Sequence, residues 1–343
     1  MDRHLSPRIA YWTSSFEFET EAVASEVALL RRSFPGSVAW GVSPRDGLRM
    51  SWRRGFSVTS RFELPFRMAT RVAQRVFHVN HLFGGLGDWS HLRALGATPS
   101  VLTVAVKSAP CDASLLEKIN QFVIEWPTAR EELLQLGIDD ERIELIYPPV
   151  DLARFRPSPP ADGPFTVLFL SSPDRSDWLA ARGVDLLLDA ASLRPDMRFL
   201  LVWRPWGDSA GAVRQAIKSK RLANVEVLVG KFARVERYFQ EAHVTAALFR
   251  DLTRCKPSPN SIIESLACGR PAIVTRHVGL APLIESEQVG LIAAEDPDDV
   301  AVCLDRLRND WTNYSRHARL VAERDFSATN FVESYRRAYD SLL

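Results

Sequence analysis

The sequence predicts an α/β protein made of two successive parallel-sheet units. Three observations lead there. Short apolar runs alternate with longer helix-periodic stretches, a break rich in proline and glycine interrupts them at 157–164, and the alternation then restarts. At 343 residues the chain has room for two domains of ordinary size, each with its own core.

In the first half, strand-like runs lie at 9–12, 38–42, 76–80, 101–106, 122–125 and 143–147, with helical patterns near 20–33, 66–75, 87–95, 112–119 and 128–136. Pro148-Pro149 ends this rhythm, and the Pro/Gly-rich 157–164 suits an interdomain linker. Beyond it, strands are expected at 165–170, 198–203, 225–229, 244–249, 272–275 and 290–293, and helices near 182–193, 209–219, 234–241, 259–268 and 279–285. The segments 297–309, 311–323 and 327–341 are amphipathic helices; Phe326, Phe331, Val332, Tyr335 and Tyr339 give the last an apolar stripe. The expected boundaries are therefore 1–155, 156–325 and a final helix at 326–343. That helix either closes the second domain or crosses back onto the first. Two such units imply a cleft between them.

Composition narrows the class. With 46% hydrophobic and 25% charged residues the chain is globular, and a net charge of +1 gives no global reason to expect nucleic acid. No recognition helix or repeated aromatic and basic pattern adds one. Charge is nonetheless concentrated locally: Arg49, Arg53, Arg54, Arg61, Arg67, Arg71 and Arg75 face the single acid Glu63. No run approaches the roughly 20 apolar residues of a spanning helix, and the N-terminus lacks the signal-peptide order, so any membrane association is expected to be peripheral. The four cysteines, Cys111, Cys255, Cys268 and Cys303, form no close pair; a cytoplasmic protein with buried, reduced thiols fits.

The most informative stretch is 255–271. Ser258 can cap a helix whose first position is Pro259, Gly269 stops it, and the apolar strand 272–274 follows. The free N–H groups at such a helix start suit a phosphate, with Ser258 and Ser261 close by. Asn260 and Glu264 are four apart and share a face, so Glu264 is placed to accept hydrogen bonds from ribose hydroxyls. The plainer reading is a carboxylate matched to the helix dipole. The loop 171–183, at another strand end, carries Arg175 and Arg182. Two guanidinium groups there can clamp a diphosphate and stabilise the charge that builds on it when it leaves; taken singly, each is an ordinary surface arginine.

These segments, with 182–187 and 143–157, resemble the retaining glycosyltransferases of family four, which have the GT-B fold: two Rossmann-like domains facing each other across a cleft. The resemblance covers nearly the whole chain and is most specific at 257–271. It implies a hexosyltransferase-like enzyme that moves a sugar from a nucleotide-diphosphate donor to a hydroxyl, with retention of configuration. Glu264 would hold the donor ribose, Arg175 and Arg182 its diphosphate, and the first domain the acceptor. No obligatory cofactor is implied; the nucleotide sugar is the donor substrate.

The chain also departs from the family. Lys256 stands where many members have a second glutamate, Ala105 where many have a histidine, and Ser14-Ser15-Phe16-Glu17 replaces the usual Gly-Gly. Lys107, Ser108 and Lys256 are then candidates to meet the donor sugar. The run His78-Val79-Asn80-His81-Leu82-Phe83-Gly84-Gly85 ends at a strand-to-loop junction: Gly84 and Gly85 could let the backbone approach sugar or diphosphate, and His81 could donate to a sugar oxygen. A structural role for His78 is an equal reading. No Cys or carboxylate set completes a metal shell around these histidines, and no Asp-x-Asp lies at a strand end, so no metal is expected.

Along 66–77, Arg67, Arg71 and Arg75 recur every four residues among apolar groups. This is either an ordinary helix with one solvated face or an attachment to anionic lipid or a lipid-linked acceptor. Two rival functions remain: a nucleotide-sugar epimerase or hydrolase on the same fold, and a noncatalytic nucleotide-sugar-binding subunit, the latter suggested by Lys256 and Ala105.

Overall fold

The computed structural model describes all residues except 1–5, 15–20, 43–48, 52–54, 59–61, 88–89, 111, 160–161 and 253–254. Ser15, Phe16, Glu17, Arg53, Arg54, Arg61 and Cys111, all singled out from the sequence, lie outside the described residues.

The chain forms two compact units, Met1–Pro148 with Thr329–Leu343, and Pro149–Ala328. The first holds β1 (Ile9–Trp12), α1 (Ala22–Ser33), β2 (Val38–Val42), β3 (Arg49–Ser51), β4 (Gly55–Val58), α2 (Glu63–Ala73), β5 (Val79–Gly84), α3 (Ser90–Ala94), β6 (Ser100–Val104), α4 (Ala113–Leu116), β7 (Gln121–Ile124), α5 (Ala129–Gln135) and β8 (Ile143–Leu145). Among the described residues its sheet runs β3-β4-β2-β1-β5-β6-β7-β8, parallel except for the β3–β4 pair. That antiparallel pair was not foreseen. Arg49-Met50-Ser51 and Gly55-Phe56-Ser57-Val58 are too short and too mixed for a strand pattern to stand out.

The second unit holds β9 (Thr166–Phe169), α6 (Val184–Leu193), β10 (Arg198–Trp203), α7 (Ser209–Lys220), β11 (Val225–Val229), α8 (Glu236–Glu241), β12 (Val244–Ala247), α9 (Asn260–Ala267), β13 (Ala272–Val274), α10 (Ala281–Ser286), β14 (Gly290–Ile292), α11 (Pro297–Asn309) and α12 (Trp311–Asp325). Its strands run β11-β10-β9-β12-β13-β14, all parallel. Counted within the unit this is the order 3-2-1-4-5-6 of a doubly wound Rossmann sheet. The order reverses between β9 and β12. Such sheets bind ligands at the carboxyl ends of the strands flanking that reversal.

The domain boundary falls at 148/149 rather than 155/156. Residues 149–155 belong to the second unit because Val150 N–H bonds Phe326 C=O at 2.8 Å and Arg154 Nε pairs with Glu236 at 3.0 Å. The final helix, α13 (Ala328–Asp340), counts with the first unit. Its Phe331, Tyr335 and Tyr339 join the core formed by Ile9, Tyr11, Val27, Leu30 and Phe34 on one face of the sheet, and Tyr335 and Tyr339 are wholly buried. The stripe read from the sequence is therefore a core face.

Gly183 stitches β9 to β12. It has φ +67°, where side chains other than glycine's are strained, and a Cβ there would overlap the Leu248 carbonyl oxygen. Close by, Arg250 N–H bonds Ala181 C=O at 2.9 Å. Gly183→Ala is expected to destabilise the chain by more than about 3 kcal/mol, read as a large fall in denaturation midpoint, because backbone rather than a movable side chain blocks the methyl.

Candidate functional site

The loops that leave β9 and β12 meet at the strand-order reversal, and both sequence-derived site segments are on them. Ser171 Oγ at the end of β9 lies 3.4 Å from Ser261 Oγ at the start of α9. Helix α9 is fastened to β12 by Ser265 Oγ, which bonds Thr245 Oγ1 at 2.7 Å and Arg270 C=O at 3.0 Å. Its first turn is thus held at the sheet edge. The Ile262 and Ile263 N–H groups donate to Pro259 C=O at 3.0 and 3.4 Å, which leaves the Asn260 and Ser261 amides without an acceptor within the helix.

The helix begins one residue later than the serine-cap reading expects. Pro259, with φ −67° and ψ 127°, is the extended residue before it and makes no side-chain cap; Ser258 is fully buried. Instead Asn260 opens the helix, and its Oδ1 is buried with no hydrogen-bond partner among the described residues. A buried acceptor left open where the first-turn amides are also open is what a polar ligand would complete.

Glu264 stands one turn on. No hydrogen bond from the described residues reaches its carboxylate, and burial pushes its pKa up to about 7, against the attraction of Arg154 and Arg204. The residue is half-buried and gains no hydrogen bond from its described neighbours, so its lone pairs are available to a ligand.

Arg175 and Arg182 are not a matched pair. Arg182 is packed over the Phe249 ring at 5.4 Å and desolvated enough to lower its pKa, with Asp174, Cys255 and Arg204 in electrostatic range. Arg175 is 60% exposed and grips Asp177 with two hydrogen bonds, Nε–Oδ1 at 2.8 Å and Nη2–Oδ2 at 2.6 Å. The expected Arg175 half of the clamp is thus occupied in this structure by a carboxylate two residues away. Arg204, which sequence reasoning missed, is better placed. It follows β10 directly, its N–H bonds Ser172 Oγ at 3.2 Å, its guanidinium lies 4.8 Å over Trp206, and it is in electrostatic range of both Arg182 and Glu264. Local sequence shows only that Arg204-Pro205-Trp206 leaves the end of an apolar run; the sheet order is what sets that strand next to β9.

Lys256 is half-buried in the loop entering α9. Cys255 beside Arg182 has its thiol pushed up to about 11 by burial, so it is neutral and unreactive; Cys268 is pushed up to about 12. Among the described residues no group of three or more His, Cys, Asp or Glu is placed to hold a metal ion.

The candidates in the first unit fare differently. His81 is wholly buried in β5, with Nδ1 2.5 Å from Tyr339 Oη and Nε2 2.7 Å from Thr103 Oγ1, and desolvation holds it neutral. It is corrected from sugar ligand to core residue, because both ring nitrogens are used. Gly84 is the last residue of β5 and accepts from the Ala105 and Val106 amides. A Cβ on Gly85 would overlap Ser108 Oγ, so this glycine allows the close approach of the chain's own 106–108 loop. Lys107 pairs with Glu132 at 2.9 Å. Ala105 is buried in the core. His81→Ala is expected to cost about 2–4 kcal/mol in a chemical denaturation curve and to leave the donor KM unchanged; a raised KM at unaltered stability would restore the ligand role.

Residues 165–310 match the family described as "Glycosyl transferases group 1". The D-inositol 3-phosphate glycosyltransferase of Thermomonospora curvata is 27% identical over 256 residues, 62% of this chain and 56% of that protein, so the match spans little more than half the relative's length. Among solved structures, Anabaena HepE in complex with UDP and glucose aligns over 98% of this chain and 100% of its own, with TM-score 0.73 and 16% identity. The sucrose-phosphate synthase of Thermosynechococcus elongatus aligns over 98% and 99%, with TM-score 0.76 and 18% identity. The fold is that of GT-B glycosyltransferases, two Rossmann-like domains.

Proposed function

We propose that this chain, given the match of residues 165–310 to group 1 glycosyl transferases, is a glycosyltransferase that moves a sugar from a nucleotide-diphosphate donor to an acceptor hydroxyl with retention of configuration. The observation that carries the reading is the placing at one sheet edge of the open Asn260 Oδ1 at the start of α9, the Glu264 carboxylate, which no hydrogen bond of the described residues reaches, and the desolvated Arg182, with Arg204 in electrostatic range of both charged groups. Glu264 accepts the ribose hydroxyls, the α9 amides and Asn260 meet the phosphates, and Arg182 with Arg204 faces the diphosphate. The acceptor oxygen bonds to the anomeric carbon as the bond from that carbon to the phosphate oxygen breaks. The leaving phosphate takes the acceptor's proton. Charge grows on the diphosphate during that step, so cations beside it favour the transition state over the ground state. This division of labour needs no carboxylate nucleophile, which fits Lys256 in place of a second glutamate.

The donor tested first is a uridine diphosphate sugar, because HepE is described with UDP and glucose. Labelled donor is incubated with the chain, with and without an acceptor panel. Acceptor-dependent transfer of label supports the reading. Label released as free or isomerised sugar without acceptor dependence points to the hydrolase or epimerase. Tight donor binding with no turnover across the panel points to the noncatalytic binding subunit.

A further inference from the structure

Helix α2 reverses the usual order of an amphipathic helix. Its inward positions are Phe66, Thr70 and Gln74, and most of what they do is polar. Thr70 Oγ1 bonds Phe66 C=O at 2.7 Å, Gln74 Nε2 donates to Ala94 C=O at 3.0 Å, and Gln74 Oε1 accepts from Asn80 Nδ2 at 2.8 Å and from Gly96 N–H at 3.0 Å. The outward row is apolar: Leu64, Met68 and Val72 at four-residue spacing, continued by Val76 and preceded by Phe62, each between 56% and 66% exposed. A helix needing only a solvated face has no reason to put its large apolar side chains there.

Cations border the same row. Arg71 and Arg75 are exposed beside it, and Arg67 is held by Glu63 at 3.4 Å, so the one acid of the helix is already paired. At the end of the helix Arg71, Arg75 and Lys118 line a cavity of about 350 Å³ with Gln74 and Gly96, and no carboxylate lines it among the described residues. An exposed apolar row flanked by cations, ending in a cationic recess, fits the boundary between acyl chains and headgroups of an anionic bilayer. A second copy of the chain fits worse. Self-pairing along this row would set Arg71 and Arg75 of both copies together with no free acid on the helix between them.

We infer that the α2 face is a membrane-docking surface for anionic phospholipid, with Leu64, Met68, Val72 and Val76 entering the acyl boundary and Arg71, Arg75 and Lys118 receiving lipid phosphate. Neither signal alone anchors a protein; together they give reversible attachment that weakens with salt. The inference stands apart from the sugar-transfer reading, and either can fail without the other.

The full chain is sedimented with phosphatidylcholine vesicles, with and without about a third of phosphatidylglycerol. Two surface variants, Met68→Glu with Val72→Glu, and Arg71→Glu with Arg75→Glu, are run beside it, with thermal melts to check that each folds. Expected is sedimentation with anionic vesicles only, reduced about tenfold or more by either variant and by raised salt. Wild type left in the supernatant, equal binding to neutral vesicles, variants that bind like wild type, or a self-associated species that the Met68/Val72 variant dissolves while vesicles stay bare would each overturn the inference.

Discussion

Replacing Arg182 by alanine is expected to lower kcat for sugar transfer by about 10²–10³ while donor affinity falls much less. The asymmetry follows from when the charge appears. On the proposed reading the diphosphate is shared before reaction among the α9 amides and several cations, whereas the bond-breaking step adds charge to the leaving oxygen, where a desolvated guanidinium acts most strongly. Arg182→Lys keeps the cation and loses the planar fork, so it is expected to recover only part of the rate. Arg175→Ala is the contrast. With its fork filled by Asp177 on the surface, its removal is expected to change kcat by no more than about twofold. Equal losses for both arginines in steady-state assays would contradict the site as described, and melts must show that Arg182→Ala still folds, because its guanidinium packs over the Phe249 ring.

Glu264→Gln is expected to weaken donor binding about tenfold at pH 8 and to raise stability there, two effects of one cause. Burial lifts the folded carboxyl from an ordinary 4.5 to about 7. Between those values the folded chain binds a proton that the unfolded chain has released, so stability falls as pH rises through that interval and stays low above it. Glutamine removes that cost, and the gain disappears below about pH 4.5. Donor binding runs the other way. Ribose hydroxyls donate to the ionised carboxylate and hold its pKa down, so affinity is greatest above pH 7 and declines on acidification, while the Gln variant shows no such slope over the interval. Titration calorimetry with nucleotide diphosphate across pH 5.5–8.5, matched with melts, measures both. A wild-type affinity flat with pH contradicts the assigned role.

Much of the architecture was legible because parallel sheets buried on both faces write themselves as continuous apolar runs. Residues 198–203 and 225–229 are strands to the residue, and the 165–170 run differs from β9 only at its ends. The β3–β4 pair was hidden because short edge strands carry little pattern. Within the site, Glu264 and Arg182 could be found from helix spacing and a strand-end loop. Arg204 could not be weighed without the sheet order, which sets β10 beside β9 but is written nowhere in local sequence. His81 misled for a related reason. A histidine in an apolar strand looks the same whether its nitrogens face a ligand or, as here, Thr103 and a tyrosine 258 positions further on. The α2 face shows the converse: arginine spacing was plain, but only the three-dimensional packing reveals that the apolar row is the one turned outward.

The central claim is that α9, Glu264 and Arg182 grip one nucleotide diphosphate. A crystal structure of the chain grown with uridine diphosphate tests it most directly. The account predicts ribose hydroxyls within hydrogen-bonding distance of the Glu264 carboxylate, a phosphate against the first-turn amides of α9 and Arg182 on the diphosphate. A nucleotide bound away from the β9–β12 edge, or one there whose ribose ignores Glu264, would contradict it.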